Sequence, residues 1–189
     1  MNIFVDGFQN TGKTTLIEKS DFKFNRFPFN QYLDLFELKS QDNLNAYQIA
    51  KDLGILFGLQ YNKENVIFDR GPFSTIFYSI KENRYGEKTL ELMMKFLKEI
   101  SKFKNCKYVF VVKKNEDKSI KREHNDGFDY LNDDEDQEKY KLLDYIVNAA
   151  KSFGIEISIF TTDFAKPLED NIYYFNRLLG ELTNEYNRN

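Results

Sequence analysis

The residues with the clearest chemical content are Gly7-Phe8-Gln9-Asn10-Thr11-Gly12-Lys13-Thr14. Their spacing is G-x-x-x-x-G-K-[ST], and it follows the short apolar run Ile3-Phe4-Val5 and precedes the helix-compatible TTLIEKS. Glycines at positions 7 and 12 let the backbone turn tightly, so that successive N–H groups converge on an anion. The helix that follows would add its positive end to the same anion. The backbone of Gly7, Gln9, Asn10, Thr11, Gly12, Lys13, Thr14 and Thr15 would then line a nucleoside triphosphate. Lys13 would reach its β- and γ-phosphates, and the Thr14 hydroxyl would ligate Mg²⁺. A glycine turn that merely precedes a helix is the competing explanation. The full pattern arises by chance in roughly one chain per hundred of this length, and its place directly after a strand makes chance rarer still.

Further charged residues stand at the ends of apolar runs. Asp6 closes the first, Arg26 follows the aromatic-rich DFKFNRFPF, and Asp69-Arg70 closes Val66-Ile67-Phe68. Asp69 stands where a second ligand for Mg²⁺ is expected, acting through bound waters. The same carboxylate could instead stabilise the start of the helix that Gly71-Pro72 opens. Arg70 could grip a phosphate bidentately or form a surface salt bridge. A switch-type NTPase would continue D-x-x-G here, whereas Arg favours an enzyme holding two phosphorylated ligands.

The elements that must carry these residues alternate along the chain. Strands are expected at 3–5, within 21–29, at 64–70, at 107–112 (KYVFVV) and at 155–160 (IEISIF). Helices are expected after the glycine loop, over QYLDLFELKS and DNLNAYQIAKDLGILFGLQY, from Pro72, over 87–103, over 139–152 and from about Pro167 to Tyr186. In the 87–103 helix, Leu90, Met93, Met94, Leu97 and Ile100 share one face. Residues 114–138 are charged and aperiodic and read as an excursion. Such alternation predicts an α/β fold, a parallel sheet with helices on both faces and ligands outside the carboxyl ends of its strands.

Composition bounds the rest. A chain of 189 residues with 41% hydrophobic and 30% charged content is expected to form one soluble domain spanning 1–189. A net charge of -3 gives no overall attraction to nucleic acid or an anionic membrane. Cys106 is the single cysteine, which excludes an internal disulfide; before YVFVV it reads as a buried structural thiol. No apolar run approaches the ~18 residues of a membrane span, and Asp6 interrupts the apolar run at the N-terminus. An intracellular, cytoplasmic protein is the expectation. Heavy use of Phe, Tyr, Ile, Lys and Asn points to an AT-rich genome.

The runs FVDGFQNTGKTT, NRFPF, ILFGLQY and FDRGPFSTIFY, in that order and spacing, resemble thymidylate kinases and their relatives. The likeness covers roughly residues 1–80 and continues more weakly through 107–163. It implies a three-layer P-loop kinase fold with a five-stranded parallel sheet, helices on both faces and a short lid at about 115–134. It also implies transfer of the ATP γ-phosphoryl group, with Mg²⁺, to the 5′-phosphate of a deoxynucleoside monophosphate such as dTMP. By resemblance, Arg70 and Arg26 would hold the acceptor phosphate beside Phe27, and Phe57 would meet its base. Ser74 and Tyr78 would line the base pocket, Asp6 would face the acceptor sugar, and Arg122 would cover the adenine or reach the transferring phosphates. Core packing competes for Phe57 and Tyr78, and solvation for Arg122 and His124. A homodimer through the 87–103 helix or its neighbours is a further implication of the resemblance.

The departures bear on specificity. The loop has Gln9 where relatives often carry Asp and has no Arg of its own, so transition-state charge must come from Lys13 with Lys118, Lys121 or Arg122. Phe27 replaces a carboxylate, and Gln60-Tyr61 stands where many relatives carry Arg. A phage- or virus-encoded deoxynucleotide kinase fits these changes. A deoxynucleoside kinase would want a carboxylate base where this chain has Arg-Phe-Pro and Asp-Arg-Gly. An NTPase switch or partner-driven ATPase would want D-x-x-G or an arginine finger, and a polynucleotide 5′-kinase a basic groove. Neither is evident.

Overall fold

A computed structural model of the chain describes residues 1–22, 24–25, 48–56, 66–114 and 133–186, and statements of absence below refer to these. Arg26, Phe27, Phe57, Arg122, His124, the helix expected at 31–40 and residues 115–132 of the expected lid lie outside them. The fold is α/β around one parallel sheet. Its strands are β1 (Asn2–Gly7), β2 (Phe24–Asn25), β3 (Val66–Asp69), β4 (Cys106–Lys113) and β5 (Ile157–Thr162), in the spatial order β2-β3-β1-β4-β5. Four of these are full strands, not the expected five. Of the segment expected at 21–29, the described residues contribute the pairing of Phe24 and Asn25 with Ile67 and Phe68 of β3.

The helices are α1 (Lys13–Glu18), α2 (48–56), α3 (Pro72–Lys81), α4 (Thr89–Ile100), α5 (Asp133–Ser152) and α6 (Leu168–Tyr186), with a 3₁₀ turn at Gly86–Lys88. Pro72 occupies the first turn of α3, where its missing N–H is not needed. Helix α5 starts at Asp133 rather than 139, and β5 lies two residues later than expected. Pairing sets the β5 register, Tyr108 against Ile157 through to Lys113 against Thr162.

Strand parity sorts the core into two layers. Ile3, Val5, Ile67, Val109 and Val111 face α1 and α6, packing with Leu16, Ile17, Phe175 and Leu179. Phe4, Val66, Phe68, Tyr108 and Phe110 face α2 to α5 and meet Leu56, Phe73, Ile76, Phe77, Phe96, Leu97 and Ile146. On that face the Phe4 ring stacks between its registered neighbours Phe68 (5.0 Å) and Tyr108 (5.7 Å). Each such pair contributes about 0.5–1.5 kcal/mol beyond its area.

In α4 the buried arc is Met93, Phe96, Leu97 and Ile100, while Leu90 is 47% exposed and Met94 half-buried. The expected stripe is therefore rotated toward Phe96, because α4 packs against α3 along that side. Cys106 is buried as expected, and burial pushes its thiol up to about 12. No described helix is long and apolar enough to cross a membrane.

Gly71, at the start of α3, has an extended backbone (φ −157°) that any residue adopts. Space is what demands glycine, since a Cβ there would stand 2.5 Å from the Phe4 ring. Gly71→Ala should therefore cost about 1–3 kcal/mol through overpacking. The urea midpoint should fall with the slope unchanged; an unaltered midpoint would mean that Phe4 yields freely.

Candidate functional site

The central strand β1 delivers the glycine loop to the carboxyl edge of the sheet. At Gly7 the backbone has φ 147° and runs so close to the main chain of Val111 that no side chain fits. Asn10 (φ 57°) and Gly12 (φ 78°) take left-handed conformations, so the chain reverses direction before α1 begins at Lys13. Asn is among the few non-glycine residues that tolerate this. Gln9, Asn10 and Thr15 are exposed at the apex, whereas Thr11 and Lys13 are buried.

Phe8 anchors this loop. Its ring is buried against Phe77 (5.0 Å), Phe110 (5.2 Å) and the edge of Tyr140 (5.4 Å). Its carbonyl accepts hydrogen bonds from Lys13 Nζ at 2.6 Å and Thr11 Oγ1 at 3.0 Å. The Lys13 ammonium thus lies inside the loop. Burial, with the charge of Arg70 next in importance, lowers its pKa to about 8, against a partial pull upward from Asp69 and Asp6. These charges therefore converge on Lys13 although they are far apart in sequence.

Thr14 and Asp69 are joined directly, with the Thr14 hydroxyl donating to Asp69 Oδ2 at 2.8 Å. A hydroxyl and a carboxylate in contact beside the glycine loop can share a divalent cation whose remaining ligands come from a bound anion and water. Among the described residues no cluster of three or more His, Cys, Asp or Glu could hold a metal by protein ligands alone. The start of α3 is held by Asp6 instead. Asp6 Oδ1 accepts from the N–H groups of Gly71 (2.8 Å) and Ser74 (2.9 Å), and Oδ2 from that of Phe73 (3.3 Å).

Two of the expected site residues are buried. Asp6, expected to face an acceptor sugar, is 1% exposed, with both oxygens taken by backbone donors. Burial nonetheless keeps its carboxyl above the usual range, only partly offset by hydrogen bonds from Ser74, Gly71 and Phe73. Ser74, expected on a pocket wall, is buried beneath the helix start. Tyr78 is half-buried, its ring edge-on to Phe77 at 5.3 Å. Arg70 is exposed and held at φ 73°. Left-handed backbone costs a non-glycine residue roughly 1–2 kcal/mol. The Gly71 and Ser74 bonds to Asp6, at about 0.5–1.5 kcal/mol each, offset that strain.

Sequence reasoning missed several supporting residues. Phe164 packs against Gly12 from the loop after β5, with Lys113 Nζ 5.6 Å above its ring. Tyr140 donates its hydroxyl to the Lys113 carbonyl at 2.6 Å. Asp52, fully buried on α2, accepts from Thr75 Oγ1 at 2.5 Å and pairs with Lys51 at 3.2 Å. Its spacing of four from Leu56, on the buried face of the same helix, was the available signal. No protein-family model matches the chain, and no curated protein is similar enough to match it.

Burial, more than any neighbouring charge, holds the Asp52 carboxyl above its ordinary range. The folded chain thus keeps a proton that the unfolded chain has released. Stability from this group is full below the ordinary value of about 3.9 and is lost as pH rises through the raised one; Asp6 acts with the same sign. Asp52→Asn removes one such titration. Its unfolding free energy should improve relative to wild type as pH rises above about 4 in a urea series. A constant difference across that range would contradict the raised pKa.

Proposed function

We propose that this chain is a nucleoside monophosphate kinase of the thymidylate kinase-like, P-loop kinase class. It transfers the γ-phosphoryl group of ATP to the 5′-phosphate of a deoxynucleoside monophosphate, dTMP or a close relative, in the cytoplasm. The observation that carries the reading is the Thr14–Asp69 contact at 2.8 Å beside a buried Lys13, with Arg70 directly after Asp69 on the same rim. The strand order β2-β3-β1-β4-β5, with the glycine loop leaving the central strand, supports the same class.

The residues fit a magnesium nucleotide. The loop from Gly7 to Thr15 would hold the phosphates, and Thr14 with Asp69 would hold Mg²⁺, which when bound supplies charge neutralisation at the transferring group. Lys13 would exchange the Phe8 carbonyl for phosphate oxygens. Arg70, exposed and close enough to depress Lys13, would grip the acceptor phosphate and hold it in line. A phosphate acceptor is already an oxyanion and needs no side-chain base. A nucleoside acceptor would need one, and Asp6 has both oxygens committed to backbone N–H groups. That favours the phosphorylated acceptor over a nucleoside hydroxyl.

Lys13→Ala should lower turnover at least on the order of 100-fold with folding intact by circular dichroism; near-normal turnover would remove the loop from the mechanism. Acceptor class is read by coupled ADP release with ATP, Mg²⁺ and separate nucleosides, monophosphates and a 5′-hydroxyl oligonucleotide. Monophosphates should stimulate; stimulation by nucleosides alone would overturn the reading.

Since the Lys13 pKa is lowered to about 8, the loop must take up a proton when a polyphosphate binds above that pH. ATP affinity should be full below about pH 8 and decline above it. Calorimetry at about pH 8.5 in two buffers of different ionisation enthalpy should register net uptake. Zero uptake would place Lys13 away from the phosphates.

A further inference from the structure

The turn that leads from β3 into α3 carries Arg70 and Gly71, and it is tied to β1 at several points. The Arg70 N–H donates to the Val5 carbonyl at 3.0 Å. Gly71 lies so close to the Phe4 side chain that a Cβ there would clash with it. Asp6 closes the set by accepting the amides of Gly71, Phe73 and Ser74 from a position 1% exposed. Between these ties, Arg70 sits at φ 73°, a conformation an unconstrained arginine leaves. Consecutive β1 residues thus hold the turn in which the guanidinium is displayed.

We propose that Asp6 is a positioning residue for the acceptor, acting through Arg70 rather than by touching substrate. This rests on the monophosphate kinase reading for its substrate, and on the geometry alone for its structural half. The arrangement separates two functions that share one strand. Gly7, the next residue, starts the loop that binds the donor, while the Asp6 side chain points to the opposite layer and fixes the acceptor's arginine. Strand alternation places the Phe4 and Asp6 side chains on the α3 face together, so the tie follows from β1 itself.

The shorter bonds both end on Oδ1, which makes the side-chain series diagnostic. Asp6→Asn keeps an Oδ1 acceptor for Gly71 and Ser74. Asp6→Glu keeps the carboxyl but pushes the oxygens outward by a methylene, and Asp6→Leu removes the acceptors. Positioning predicts that Asn is milder than Glu, whereas direct contact by a charge with a substrate group predicts the reverse.

The full chain is tested with ATP, Mg²⁺ and the stimulating monophosphate. Asp6→Glu and Asp6→Leu should lower kcat/KM for the acceptor on the order of 100-fold, as expected for a misplaced phosphate grip, with ATP dissociation constants near wild type. Asp6→Asn should stay within about tenfold of wild type. Asp6→Leu in an Arg70→Ala background should add nothing further. If Asp6→Leu does not fold, the order of Asn and Glu decides. Amide hydrogen exchange at Gly71 and Ser74, read without any substrate, should quicken in Asp6→Glu and not in Asp6→Asn.

Equal losses for ATP and acceptor, additivity with Arg70→Ala, Glu milder than Asn, or unchanged exchange in Asp6→Glu would each overturn the proposal. If the wild-type chain phosphorylates no monophosphate, the kinase reading falls, and the exchange result still decides whether Asp6 holds Arg70.

Discussion

The carboxyl of Asp6, buried at the carboxyl end of the central strand and bonded to the first turn of α3, is the constraint on which the site depends. It joins β1 to the segment that follows β3, strands that are already neighbours through Phe4 and Phe68. Because the turn is fixed, Arg70 arrives near Lys13, while Asp69, paired with Val5 in the β1–β3 ladder, meets Thr14. Burying such a group is expensive, and its pKa direction says that burial outweighs the hydrogen bonds it accepts. The return is geometric: the turn after β3 has one conformation, left-handed Arg70 included.

The glycine loop is held from below by a different kind of force. Phe8 inserts its ring among Phe77, Phe110 and Tyr140, and its carbonyl faces the ammonium of Lys13. Apolar packing thus fixes a loop whose apex residues Gln9 and Asn10 are exposed. Tyr140 belongs to α5 and also bonds the end of β4, so the loop, the strand beyond it and the following helix meet at one aromatic cluster. Lys13 sits inside this shell with a lowered proton affinity, a cation that an arriving polyphosphate would restore to full charge.

Much of this architecture was legible in the chain. Apolar runs at 3–5, 66–68 and 107–112 became strands because their residue types suit a sheet covered on both faces. Pro72 opened its helix, and Cys106 went inward ahead of an apolar strand. Less was legible at α4, where Leu90 and Met94 fit the helical period, yet Leu90 is exposed and Met94 only half-buried at the edge of the core. Periodicity defines a stripe, but only the neighbour, here α3, chooses which edge of the stripe is covered.

By itself the sequence determined what local rules decide: the glycine loop, whose turns need only nearby residues and positive φ, and the alternation that yields a parallel sheet. It also placed Thr14 and Asp69 as candidates for one cation, and these side chains are in contact. Tertiary structure decided which carboxylate does what. Asp69, just before Gly71-Pro72, was the carboxylate that the sequence offered to the start of α3, and Asp6 takes that place. Strand parity turns the Asp6 side chain into the layer that holds α3, while Asp69 is bonded to Thr14. That choice depends on β1 and β3 lying side by side, a neighbourhood that no stretch of sequence around either residue contains.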